Sequence, residues 1–140
     1  MLIGVPKEIK NHEYRVGLTP SSVRELTSRG HQVIVQKNAG TAIGLADEQY
    51  VAAGATLSDS AADIFARADM IVKVKEPQPV ECAMLRKDQI LYTYLHLAPD
   101  PEQTKALVKS GAVCIAYETI TGQGGGLPLL APMSEVAGRM

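Results

Sequence analysis

Four charged or titratable side chains fall where apolar, strand-like runs give out. They are Arg15 in the loop after the first run, Lys75 at the end of residues 70–75, His96 just after residues 90–95 and Glu118 just after residues 112–117. Guanidinium forks hold carboxylates in a two-pronged way, an ammonium group polarises a carbonyl oxygen, and imidazole is the usual proton carrier near neutral pH. Gathered at one place, such groups suit a 2-oxo or 2-amino acid. Each also has a plainer reading. Lys75 can snorkel from a strand end, and Lys73, two positions earlier on the same face of an extended strand, competes for its role. A single histidine at a strand end often serves as a structural hydrogen-bonding group, Arg15 sits among many charges, and Glu118 could simply orient a neighbour. Their convergence is what points to a site.

The elements that must position them follow from apolar runs, caps and stops. Residues 2–5 form a short strand halted by Pro6, and residues 7–15 form a loop with seven ionisable side chains in nine. Thr19-Pro20 opens a helix closed by Gly30, the hydroxyl capping free amides and the proline taking the first turn. A second strand spans residues 32–36, and residues 46–53 give a short helix before Gly54. Residues 60–68 give another helix, with Ser58 or Asp59 as its cap. The strand at 70–75 ends abruptly at Glu76-Pro77, and a short helix from Pro79 to about Lys87 precedes the strand at 90–95. Asp100-Pro101-Glu102-Gln103 reads as a cap, a proline at the first helical position and, three residues after the cap, a Gln placed to reach back to it, for a helix ending near Gly111. The strand at 112–117 completes the series.

Alternating strands and helices of these lengths predict an α/β domain: a parallel, doubly wound, Rossmann-like or flavodoxin-like sheet covered on both faces. In such sheets ligands bind at the carboxyl edge, where the strand ends and following loops form a crevice. A single domain is expected over residues 1–126. Residues 127–140, with Ser134 as a possible cap, read as the start of a connecting helix whose pattern is still running at Met140, so the chain is expected to be a fragment.

Fourteen basic against fifteen acidic side chains, with no basic block, argue against a nucleic-acid or membrane surface as partner and for a small molecule. No apolar run approaches a membrane span and the N-terminus lacks a signal-peptide pattern, so a cytoplasmic location is expected. Cys82 and Cys114 show no metal-ligand spacing, and no metal site is expected. Gly122-Gln-Gly-Gly-Gly126 follows a strand, but it lacks the third glycine of Gly-x-Gly-x-x-Gly and leads into Leu127-Pro128 rather than a helix. It is read as a turn or flap.

Several stretches together resemble a known family. They are Ile3-Gly-Val-Pro-Lys-Glu-Ile-Lys, Glu13-Tyr-Arg-Val-Gly-Leu-Thr-Pro20, Lys73-Val-Lys-Glu-Pro77, Tyr94-Leu-His-Leu-Ala98 and Ala131-Pro-Met-Ser-Glu-Val-Ala-Gly138. Over essentially the whole chain they are similar to the N-terminal, substrate-binding part of bacterial alanine dehydrogenases, in the family that also includes the N-terminal domain of nicotinamide nucleotide transhydrogenase. The Leu-His-Leu-Ala and Lys-Val-Lys-Glu-Pro segments favour the dehydrogenase over the transhydrogenase α subunit, and saccharopine dehydrogenase is a weaker alternative. The resemblance implies NAD-dependent oxidative deamination of L-alanine to pyruvate and ammonia, by a homo-oligomer that is hexameric in the family. It implies that Arg15 holds the substrate carboxylate, that Lys75 contacts the carboxylate or carbonyl oxygen, and that His96 is the acid/base. It also implies that Met133 and Ser134 approach the cofactor. Glu118 as a substrate ligand comes from strand-end logic alone. In the family a separate NAD-binding domain follows the point where this chain stops, so the chain alone is expected to be inactive, whether as an isolated part of the enzyme or as a truncated module.

Overall fold

Short β-branched runs and capped helices alternate along the chain, and the computed structural model, which describes all 140 residues, assembles them into one six-stranded sheet. The strands are β1 (Leu2–Val5), β2 (Gln32–Gln36), β3 (Thr56–Ser58), β4 (Met70–Val72), β5 (Ile90–Thr93) and β6 (Val113–Ala116). The helices are α1 (Pro20–Ser28), α2 (Asp47–Ala52), α3 (Ala61–Arg67), α4 (Pro79–Met84), α5 (Pro101–Ser110) and α6 (Ala131–Gly138). Every strand pair is parallel, in the order β3-β2-β1-β4-β5-β6. The chain winds outward from β1 to one edge and then from β4 to the other, which puts the topological switch point between β1 and β4.

The doubly wound sheet expected from the alternation is therefore present, with one strand more than was legible. Leaving out β3, the remaining five strands stand in the flavodoxin-like order 2-1-3-4-5; β3 extends this to the six-stranded Rossmann order. Three residues, Thr-Leu-Ser, carry no periodicity of their own. They become a strand because Thr56, Leu57 and Ser58 pair with Ile34, Val35 and Gln36 of β2.

Side-chain alternation along each strand divides the core into two layers. Ile3, Val5, Val33, Val35 and Val72 face α1 and α2, where they pack with Val23 and the fully buried Tyr50. Ile34, Ile71 and Leu91 face the other way, toward Ile64 and Phe65 of α3, Cys82 of α4 and Leu107 of α5. The caps follow the sequence in α1 and α5: Thr19 accepts from the Ser22 amide and Asp100 from that of Gln103. Three local expectations are corrected. Ser60, not Ser58 or Asp59, caps α3, because the Ser58 hydroxyl is turned to the Asp63 carboxylate. Ser134 lies inside α6, which begins at Ala131 with Pro132 in its first turn. Gln103 does not reach back to its own cap, since its side-chain amide is buried and donates to the Leu95 carbonyl.

One half of one face stays open. Val113 of β6 is 50% exposed, and Ile90, Tyr92 and Ile115 on the same face of β5 and β6 are only partly covered. No helix of the chain is long and apolar enough to cross a membrane.

Gly4 sets how closely α3 can approach the sheet. A Cβ there would lie 2.5 Å from Ile64 Cγ2 and 2.9 Å from the Ala68 Cβ. Gly4→Ala should therefore overpack the junction and cost about 1–3 kcal/mol, read as a lower urea midpoint with an unchanged slope.

Candidate active site

The loops that leave β1 and β4 run side by side at the switch point, and a glycine allows it. A Cβ on Gly17 would lie 2.6 Å from the Val72 carbonyl oxygen. Into this contact the charged loop after β1 sends Glu8, whose buried carboxylate takes three donors from the exit of β4. They are the Lys73 ammonium at 2.5 Å, the Val74 amide at 2.5 Å and the Lys75 amide at 3.3 Å.

This arrangement decides between the two lysines. β4 ends at Val72, so alternation no longer governs the residues beyond it. The Lys73 side chain is fully buried between Glu8 and Glu81, the latter 3.0 Å away. Burial pushes the Glu81 carboxyl above its ordinary range, against the opposing pull of Lys73. Lys75 is directed instead toward the crevice, where its Nζ lies 4.6 Å from the centre of the Tyr94 ring. It makes no ion pair there, whereas Lys10 on the loop after β1 is paired with Glu76.

Tyr94, in the stretch leaving β5, connects two of the expected site residues. The His96 ring stacks on it at 5.7 Å and an interplanar angle of 15°. His96 is exposed and holds a left-handed backbone, φ 46°, which a residue bearing a Cβ adopts at a cost of about 1–2 kcal/mol. Glu118 offsets that cost. Expected as a substrate ligand, it lies at the expected edge but is turned inward: its buried carboxylate accepts the Leu95 amide at 3.1 Å and the His96 amide at 2.9 Å. It shapes the turn on which His96 stands.

Arg15 completes the edge from the β1 side. Its Nε and Nη2 donate to the two oxygens of Glu13, at 2.9 and 2.6 Å. The hydrogen bond from Arg15 is the main reason that the Glu13 carboxyl is held below its ordinary range; the same pair raises Arg15. Arg15 also borders a cleft of about 310 Å³ with Gly17, Tyr92, Tyr117, Leu129 and Met133. Tyr117 donates its hydroxyl to the Val74 carbonyl at 2.6 Å and packs against Tyr92 and Tyr94. Burial pushes this phenol up to about 12, against the opposing effect of Arg15, so it stays a neutral donor at physiological pH.

Arg15, Lys75, His96 and Glu118 thus come from four loops to one edge, although no hydrogen bond or ion pair joins the first three directly. Met133 of α6 faces the Arg15 cleft, while Ser134 beside it is exposed. Glu8, Glu13, Tyr94 and Tyr117 were not identified as site residues from sequence. The density of charge in residues 7–15 was the one available sign of the first two. Cys82 and Cys114 are free thiols whose pKa values burial raises, which keeps them protonated and unreactive. No group of three or more histidine, cysteine or acidic side chains is placed to hold a metal. The 122–126 loop folds on itself, the Gly122 amide donating to the Gly126 carbonyl at 2.8 Å, and forms no cradle at a helix start.

The chain matches known proteins throughout its length. A family model described as alanine dehydrogenase/PNT, N-terminal domain, covers residues 4–137. The alanine dehydrogenase of Halomonas elongata is 61% identical over 140 residues, 100% of this chain and 38% of that protein. A solved L-alanine dehydrogenase superposes with a TM-score of 0.95 at 55% identity, covering 99% of this chain and 38% of its own. A transhydrogenase from Sinorhizobium meliloti gives 0.80 at 29% identity, over 86% of this chain and 36% of its own. The chain therefore spans well under half the length of the relatives it matches.

Two outcomes are expected from the charge arrangement. Lys73→Met should strand two buried carboxylates and cost about 3–5 kcal/mol in urea unfolding, whereas Lys75→Met should change stability by less than about 0.5 kcal/mol. Because Glu13 titrates below its ordinary 4.5 when folded, its clasp on Arg15 is complete above the carboxylate range and is lost as pH falls through the lowered value. The Arg15 Nε resonance, followed by NMR during acidification, should move only in that window.

Proposed function

Because this chain belongs to the alanine dehydrogenase/PNT N-terminal domain family, we propose that it is the substrate-binding part of an NAD-dependent L-alanine dehydrogenase. The observation that carries this reading is the meeting of Lys75 and His96 on one aromatic ring, Tyr94, at the carboxyl edge that Arg15 also borders. A carboxylate anchor, a cation for a carbonyl oxygen and a proton carrier are what a 2-oxo acid and its 2-amino counterpart require. The greater likeness to the solved alanine dehydrogenase than to the transhydrogenase supports that branch of the family.

In this reading Arg15 binds the carboxylate of alanine or pyruvate through its unoccupied guanidinium edge. Lys75 holds and polarises the oxygen at C2. His96 takes a proton from the water that attacks the iminium carbon, and gives it back to the departing oxygen in the amination direction. Glu118 is a positioning residue, fixing the backbone from which the imidazole is presented. Tyr117 holds the β4 exit loop through the Val74 carbonyl, which keeps Lys75 in register with His96.

NAD supplies the hydride acceptor when bound. The residues present fit only its border: Met133 lines the Arg15 cleft and the Ser134 hydroxyl is open beside it, but no glycine-rich phosphate loop leads into a helix. Residues 1–126 are thus assigned to the substrate domain and 127–140 to the connection toward an NAD-binding domain. The open apolar face of β5 and β6 fits a domain that further chain completes. Alone, this part would bind substrate without turning it over, since hydride donor and acceptor must be held together for reaction.

In the full-length enzyme, Arg15→Ala and Lys75→Ala should each raise the KM for pyruvate at least tenfold. His96→Ala should lower kcat by about 10²–10⁴-fold with little change in KM. Wild-type kinetics in all three variants would sink the assignment.

A further inference from the structure

The guanidinium of Arg15 is already holding a carboxylate before any ligand arrives. Glu13 approaches it side-on, through Nε and Nη2, and the same carboxylate accepts the Arg15 backbone amide at 3.0 Å. The two partners differ in exposure: the Glu13 side chain is 8% exposed and that of Arg15 is 50% exposed. Glu13 is thus the fixed part, seated beneath, and Arg15 is the part that faces the crevice. A guanidinium offers two bidentate edges, and side-on occupation by Glu13 leaves the end-on edge, Nη1 with the second Nη2 proton, without a partner.

The charges around this edge nearly cancel. Lys73 lies between Glu8 and Glu81, Lys10 is with Glu76, and Arg15 is with Glu13. Lys75 is left without a carboxylate at ion-pair distance, although close enough to contribute to holding Glu13 ionised. Lys7 is exposed and lines a separate cleft on the outer side of Glu13 and Arg15, with Asn38 and Thr41, and does not border the cleft of Tyr92 and Tyr117. The crevice between Arg15 and Tyr94 therefore presents geometry for one carboxylate and one cation, Lys75, that stands outside any ion pair.

We propose that Glu13 is a positioning and specificity-determining residue: it holds Arg15 with only the end-on edge free and cancels its charge, so that the site accepts 2-oxo and 2-amino monocarboxylates and rejects the dicarboxylates. With Lys75 engaged by the oxygen at C2, a second carboxylate on the ligand would find no further cation in this crevice and would meet the negative charge of Glu13, where like charges repel. Lysine at position 15 could not reproduce this division, because an ammonium group has no second edge to offer. The inference rests on the reading that Arg15 receives the substrate carboxylate.

The test uses the full-length enzyme with pyruvate and with 2-oxosuccinate, the dicarboxylate one carboxyl group larger. Glu13→Gln removes the charge but keeps an acceptor for Arg15. It should raise the ratio of kcat/KM for the dicarboxylate over that for pyruvate about five- to tenfold, a modest factor because Arg15 is half exposed and solvent screens the charge. Glu13→Asp keeps the charge on a shorter arm. It should leave that ratio within about twofold of wild type while raising the pyruvate KM, as expected when the fork is misplaced. An unchanged or falling ratio in Glu13→Gln overturns the proposal. Should that variant fail to fold, Glu13→Ser is judged by the same ratio. Arg15→Lys separates the two ideas: a wild-type pyruvate KM in that variant means that Arg15 does not receive the carboxylate, whereas a raised KM with an unmoved ratio in Glu13→Gln means that Arg15 does and Glu13 is no selector.

Discussion

One carboxylate joins the two halves of the sheet at the place where they diverge. Glu8 leaves the end of β1 and takes the Lys73 ammonium together with the amides of Val74 and Lys75. The stretch after β4 has lost its ladder partners at this point, and buried amides without acceptors are costly, so the carboxylate supplies what the sheet no longer can. Its negative charge is matched by Lys73, and Lys73 in turn by Glu81. The direction of Lys75 into the crevice depends on this chain of satisfied groups. Ion pairing here gives shape to a loop more than net stability, because desolvating three charged groups consumes most of what their attraction returns.

The same device recurs two strands away. Glu118 takes the amides of Leu95 and His96 and so supports a left-handed residue that would otherwise be strained. In both places an inward-turned glutamate from one loop holds the backbone of the next, leaving Lys75 in the one and His96 in the other to face the crevice. Tyr94 and Tyr117 fill the space between these two braced turns. Aromatic rings are well suited to that position, being rigid and able both to stack against an imidazole and to lie under an ammonium group. The Tyr117 hydroxyl also satisfies a carbonyl that no strand reaches.

The distribution of packing agrees with the share of its relatives that the chain spans. The face served by α3, α4 and α5 is closed from β2 across to β5, while the opposite face is closed by α1 and α2 over β1, β2 and Val72 of β4 and left open over β5 and β6. Arg15, Tyr117 and Met133 lie along the border between the covered and the open half. The loops along this border are braced from beneath by the buried carboxylates of Glu8 and Glu118.

Much of the architecture was written in local chemistry. Five of the six strands are β-branched or aromatic runs bounded by proline, glycine or charge, and Thr19-Pro20 and Asp100-Pro101 mark helix starts wherever they occur. Because strand ends and the following loops share one edge of a parallel sheet, the placement of Arg15, Lys75, His96 and Glu118 together was legible as well. Side-chain direction beyond the last paired residue was not. Lys73 and Lys75 look equivalent while the strand is imagined to continue; once β4 stops at Val72, only Glu8, 65 residues away in the chain, decides which is buried. Glu118 could point either way until the amides of Leu95 and His96 lay within its reach, and β3 existed only once β2 offered an edge. Periodicity reports which face a residue occupies within an element, but the fate of a charge in a loop depends on partners that folding alone brings near.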